Sequence, residues 1–82
     1  MSQTLNLLKN KADELPNNIE AEQAVIGSVL LSNEIFDEVS LIISSKNFYD
    51  PIHRKIYEAL EKLIYGGLLA NPITLKNYFE KE

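Results

Sequence analysis

Between Asp50-Pro51 and Gly66-Gly67 the chain places Ile52, Ile56, Ala59, Leu60 and Leu63 at i, i+4, i+7, i+8 and i+11. That spacing returns to one side of a 3.6-residue helix and never alternates as a strand does. Both ends carry punctuation. Asp50 is suited to the N-cap and Pro51 to the first helical position, where its missing N–H costs nothing. Gly66-Gly67 supplies the left-handed conformation that closes many helices. A helix with one apolar stripe must bury it against another element, so the other segments decide the fold.

Those segments are also helical in pattern. In residues 19–31, Ile19, Ala21, Ala24, Val25, Ile26, Val29 and Leu30 cover a broad face, as expected of a helix central to a core. Asn17, with Glu20 three residues on, resembles a capping box, and Glu20 and Glu22 favour the positive helix start. Gly27 falls mid-helix, where it costs about 1 kcal/mol relative to alanine, and is expected to mark a close helix crossing. Ser32-Asn33 is expected to cap a second helix, Glu34 to about Ile43, with Ile35, Phe36, Val39, Ile42 and Ile43 inward. Residues 44–47 read as a polar loop. Thr74 is expected to cap a last helix bearing Leu75, Tyr78 and Phe79.

The expected fold is therefore all-α: a small bundle of about four main helices joined by short antiparallel connections. Residues 16–82 form its head. Residues 1–15, with Leu5, Leu8, Ala12 and Leu15 at helical spacing behind Thr4, form a flexible or weakly helical N-terminal arm.

Length and charge narrow the function. Eighty-two residues allow one domain. The absence of cysteine removes disulfides and thiolate metal sites, and fits a cytoplasmic setting. No apolar run approaches the roughly 20 residues of a membrane span, and the opening residues lack a secretion signal. A formal charge of −4, with the eight basic residues scattered, argues against much direct nucleic-acid binding.

No catalytic set emerges. There is no phosphate loop of the GxxxxGK[ST] kind, so ATP binding in that manner is excluded. Glu34, Asp37 and Glu38 are three acids in five residues, but their place at a helix start suits the helix dipole, and no histidine completes a metal shell. The single histidine, His53, reads as a side chain bonding a neighbouring loop. Its neighbour Arg54 is expected in solvent or paired with Asp50. The four tyrosines are candidates for contact with partners, because each joins an apolar body to a polar tip. Tyr65, beside Leu68 and Leu69, marks the candidate partner interface.

Two stretches carry a resemblance. The first runs Pro16, then Ile19-Glu20-Ala21-Glu22-Gln23-Ala24-Val25-Ile26-Gly27. The second is Phe48-Tyr49, His53-Arg54 and Ile56-Tyr57, followed by Asn71, Thr74 and Leu75. In this order they resemble the N-terminal domain of bacterial replicative DNA helicases of the DnaB type, over residues 15–79. Isoleucine stands at position 26 where leucine is usual. Asn71 stands where that family has aspartate, which is expected to weaken one cap or turn contact.

The resemblance implies a non-catalytic helical head of an ATP-dependent helicase that supports hexamer assembly and recruits primase or a helicase loader. It implies no cofactor on this segment, with ATP and Mg²⁺ used by a motor domain elsewhere in the parent protein. A long helical hairpin would follow Glu82. The alternatives are the helicase-binding domain of a primase, against which the Met1 start argues, or another small helical interaction module. A small enzyme using His53 lacks a nucleophile or cofactor motif.

Overall fold

The computed structural model describes residues 18–81. It is an all-α bundle: α1 (Ile19–Leu31), α2 (Phe36–Ile42), α3 (Pro51–Tyr65) and α4 (Pro72–Lys81), with 3₁₀ turns at Asn33–Ile35 and Ser45–Asn47. No strand occurs among the described residues. The expected arm at 1–15 and the cap assigned to Asn17 lie outside them.

Asn18, one residue beyond the expected cap, starts α1, its side-chain oxygen accepting the Ala21 N–H at 3.0 Å. Ala21, Val25, Ile26 and Val29 are buried, whereas Ile19 at the helix start and Leu31 at its end are exposed. Gly27 does not mark a helix crossing. Among the described residues a Cβ built on it meets nothing within 4 Å, so none of them requires its absence.

The second helix is shorter than expected. Ser32 provides no side-chain cap, and Asn33–Ile35 tightens into a 3₁₀ turn before α2 begins at Phe36. Asn33 is committed elsewhere. Its Nδ2 donates to the Val29 carbonyl at 2.8 Å and the Ala70 carbonyl at 3.0 Å, while its Oδ1 accepts the Ala70 N–H at 2.8 Å. One amide thereby fastens the end of α1 to the connection between α3 and α4. Residues 45–47 are likewise a 3₁₀ turn and not an open loop, held by the Ser44 N–H donating to Asn47 Oδ1 at 2.8 Å.

Asp50 caps α3 as its sequence predicts, accepting the Ile52 N–H at 2.8 Å, and Pro51 opens the helix. At the far end Gly67 adopts φ +81°, the Leu68 N–H reaches back to the Leu63 carbonyl, and the Gly67 N–H to that of Ile64. This is a Schellman closure, which needs a left-handed residue at the position Gly67 holds. The inward face is rotated from the expected stripe. His53, Tyr57, Ala59, Leu60 and Leu63 are buried, Ile56 is half-buried, and Ile52 is 66% exposed. Tyr57 takes the inner position because its ring packs between those of Phe36 (5.4 Å between centroids) and Phe48 (4.9 Å), and its hydroxyl donates to the Ile43 carbonyl at 2.7 Å.

Asn71, and not Thr74, caps α4. Asn71 Oδ1 accepts the Ile73 and Thr74 N–H groups, both at 2.9 Å, and Thr74 Oγ1 accepts the Asn71 N–H at 2.9 Å in return. Asparagine at position 71 thus keeps the cap that its departure from the family pattern was expected to weaken. Val25, Val29, Phe36, Val39, Tyr57 and Leu60 form the fully enclosed centre. α4 contributes no buried residue and meets that centre through half-buried Leu75.

Candidate functional site

Glu22 organises the polar interior. It lies on the inner face of α1, and its carboxylate accepts the Tyr49 N–H at 2.6 Å, the Asp50 N–H at 3.2 Å and His53 Nδ1 at 2.7 Å. Because a carboxylate only accepts, His53 carries its proton on Nδ1. Arg54 completes the arrangement from the outer side. Its Nε donates to the Phe48 carbonyl at 2.6 Å and its Nη2 to the Tyr49 carbonyl at 3.0 Å. The segment entering α3 is therefore held by its N–H groups from Glu22 and by its carbonyls from Arg54. Arg54 is neither free in solvent nor paired with Asp50.

The spacing Phe48-Tyr49-x-x-x-His53-Arg54 acquires a physical meaning here. Phe48 is buried against Tyr57, and its ring meets His53 edge-on at 6.4 Å. Tyr49 lends its backbone while its side chain stays exposed, and His53 and Arg54 reach back over the entering chain. Glu22, Phe48, Tyr49, His53 and Arg54 form one unit. Glu20 and Gln23 face solvent, Gly27 lies on open surface along α1, and Thr74 belongs to the α4 cap.

A buried Glu–His pair resembles acid–base machinery, yet the geometry suits a lock. Both Glu22 oxygens already accept backbone N–H groups, and the adjoining space among Ala21, Val25, Ile43 and Phe48 is about 10 Å³, room for one water. Among the described residues no group of three His, Cys, Asp or Glu could hold a metal, and no buried side-chain polar atom lacks a partner. Burial, with Glu61 and Tyr65 adding negative potential, pushes the Tyr57 hydroxyl well above the ordinary tyrosine range, so it remains a donor to Ile43.

The outer surface is where contacts with other molecules can form. Leu68 (61% exposed) and Leu69 (65%) line a groove of about 320 Å³ together with Leu63, Thr74, Tyr78 and Lys81. Tyr65 does not line it. Its ring packs edge-on against Phe36 at 5.5 Å, and its hydroxyl donates to Ser40 Oγ at 3.2 Å.

Sequence reasoning found the motif residues but not the partner that unites them. Glu22 looked like a dipole-favouring acid in a first turn. Its signal was its place between Ala21 and Val25 on the apolar face, where an unpaired carboxylate would be costly. Asn33 gave no comparable signal, because its partner lies 37 positions away.

A family model described as the DnaB-like helicase N terminal domain matches residues 14–82. The chain is similar to the replicative DNA helicase DnaB of Rickettsia typhi, 38% identical over 88 aligned positions that cover all of this chain and 18% of that protein. To the corresponding protein of Rickettsia felis it is 44% identical over 68 positions, covering 83% of this chain and 14% of the relative. To that of Buchnera aphidicola subsp. Baizongia pistaciae it is 36% identical over 72 positions, 88% of this chain and 16% of the relative. The chain thus spans less than a fifth of the length of the curated relatives it matches. No solved structure matches it significantly.

Proposed function

The chain belongs to the DnaB-like helicase N-terminal domain family, and on that premise we propose that it is the non-catalytic head of an ATP-dependent replicative DNA helicase, supporting hexamer assembly and recruiting primase or a helicase loader at the replication fork. The observation that carries this reading is the match over residues 14–82 to that domain, in which the chain covers only the smaller part of each helicase. The chemistry of the described residues agrees with it. The buried Glu22–His53 pair is engaged in fastening α1 to α3, and large apolar side chains such as Leu41, Leu68 and Leu69 are exposed.

On this reading ATP and Mg²⁺ are handled by the parent protein outside these residues. DNA is engaged there as well, since a domain of net charge −4 has little general attraction for phosphates. The setting is the cytoplasm. No helix among the described residues is long and apolar enough to cross a membrane.

The test removes this domain from the parent helicase. ATP hydrolysis should persist, while hexamer stability and stimulation by the cognate primase should both fall. A truncated parent that assembles and responds to primase as the intact protein does would overturn the proposal.

A further inference from the structure

α1 and α3 run side by side in the same direction: Glu22 meets His53 near both starts, and Asn33 meets Ala70 beyond both ends. Each helix carries a second apolar row beside its buried centre. On α1 the row is Ile19, Ile26 and Leu30, and on α3 it is Ile52, Ile56 and Leu63. Both rows are buried or half-buried from their second member onward and open at the first. Ile19 is 36% exposed and Ile52 66%, and Tyr49, just ahead of α3, is 58% exposed.

These open ends belong to one surface. Glu22, one turn after Ile19 on α1, accepts the N–H groups of Tyr49 and Asp50, and Asp50 in turn accepts that of Ile52. An apolar seat of three side chains thus stands at the mouth of the Glu22–His53 unit, with Glu20 and Asp50 beside it. Arg54 is turned onto the Phe48 and Tyr49 carbonyls, and Lys55 lies one turn further along α3.

The described chain starts at this same end, and residues 1–17 precede it. Leu15, three positions before Asn18, can stand no farther than about 11 Å from it however the chain runs. Pro16 ends any helix at Leu15, and Pro16-Asn17 is turn chemistry, so the arm does not continue α1 in line. At helical spacing Leu5, Leu8, Ala12 and Leu15 make one stripe, and Lys9 and Lys11 fall on either side of it. An apolar stripe edged with cations suits an apolar seat edged with acids. The family match begins at residue 14, so residues 1–13 lie outside the shared domain.

We infer that residues 5–15 turn back at Pro16-Asn17 and seat their leucine stripe on Ile19, Tyr49 and Ile52 of the same chain, as a strap across the Glu22–His53 unit. The tether raises the effective concentration of the arm at its seat. A helix of about a dozen residues is marginal alone and the seat is small, so docking and release lie near balance. Release is a local opening that leaves the bundle folded, and it changes global stability little. The strap acts within this chain and does not depend on the recruitment role proposed above.

Solution NMR of the 82-residue chain with labelled methyl groups tests this. Nuclear Overhauser contacts should join the methyls of Leu8 and Leu15 to those of Ile19 and Ile52, and the amides of residues 5–15 should be more ordered than a free tail. Leu8→Glu and Ile52→Glu should each abolish the contacts and speed amide exchange at Tyr49 and Asp50 about twofold. Glutamate at position 52 suits the first turn of α3, and an unchanged thermal midpoint shows that the bundle folds. Replacing Lys9 and Lys11 together by glutamate should weaken the contacts at low salt, and Glu20→Lys in that chain should restore them.

Residues 5–15 relaxing as a free tail, with no contact to Ile19 or Ile52, would overturn the inference. So would arm contacts that survive Ile52→Glu, which would seat the arm elsewhere, or contacts that fade on dilution, which would seat it on another molecule.

Discussion

Glu22 and His53 are 31 positions apart in the chain and meet at 2.7 Å, with both side chains largely buried. The same carboxylate holds the backbone of Tyr49 and Asp50, so one side chain of α1 determines where α3 begins. The register of the two longest helices depends on it.

Replacing Glu22 by alanine should therefore be among the most damaging single changes in the domain. It leaves His53 and two backbone N–H groups without their acceptor, and breaking a buried pair from one side costs about 3–5 kcal/mol. Urea unfolding measures the loss. Glu22→Gln, which keeps one acceptor oxygen, should lose less than alanine does. A Glu22→Gln chain as stable as the parent would mean that the side chain acts only by filling space.

The Tyr57 hydroxyl gives a pH dependence with a definite sign. Its pKa in the folded state is raised above the value of about 10 expected unfolded, first by burial and then by Glu61 and Tyr65. The folded chain holds that proton more tightly, so its contribution is complete below about pH 10 and is lost as pH rises further. Tyr57→Phe should flatten this alkaline decline. Near neutral pH it should cost about 1–3 kcal/mol, because the Ile43 carbonyl loses its donor. Denaturant titrations at pH 8 and pH 11 compare the two.

Asn33→Asp discriminates donation from acceptance at one position. Aspartate can still accept the Ala70 N–H, but it cannot donate to the carbonyls of Val29 and Ala70. A loss of about 1–3 kcal/mol is expected by chemical denaturation. Amide exchange should quicken at Ala70, where the connection into α4 is tied down.

Leu60→Ala should cost about 2–5 kcal/mol, since Leu60 is fully enclosed. Ile52→Ala should stay within about 0.5 kcal/mol of the parent chain, because its side chain faces solvent. Gly27→Ala should raise stability by about 0.5–1 kcal/mol, as alanine favours the helix and its methyl enters open space. A loss at Gly27 would mean that this surface is closely packed in solution.

Local signals account for much of what the sequence disclosed. Asp50-Pro51 and Gly66-Gly67 bounded α3 because caps are written within a few residues of the helix they serve. The stripe of α3 was legible only in part: Ala59, Leu60 and Leu63 are inward, but Ile52 is not. A hydropathy pattern ranks isoleucine above histidine and tyrosine, whereas the structure gives His53 and Tyr57 partners that pay for their burial. Asn18 and Asn71 displaced Asn17 and Thr74 as caps, since adjacent polar residues offer similar capping chemistry and only the backbone decides between them. Leu68 and Leu69 were visible as exposed apolar residues from their place after a helix end. That Tyr65 would turn toward Phe36 and Ser40 depended on the packing of α2, which no local pattern encodes.

The role proposed for this domain is that of a docking head. It is tested most directly by titrating the isotopically labelled chain with the C-terminal domain of its cognate primase and following the backbone amide shifts. A contiguous set of surface amides should move and saturate, while those of the Glu22–His53 unit hold their positions. No shift at any amide with primase in large excess would contradict the recruitment role.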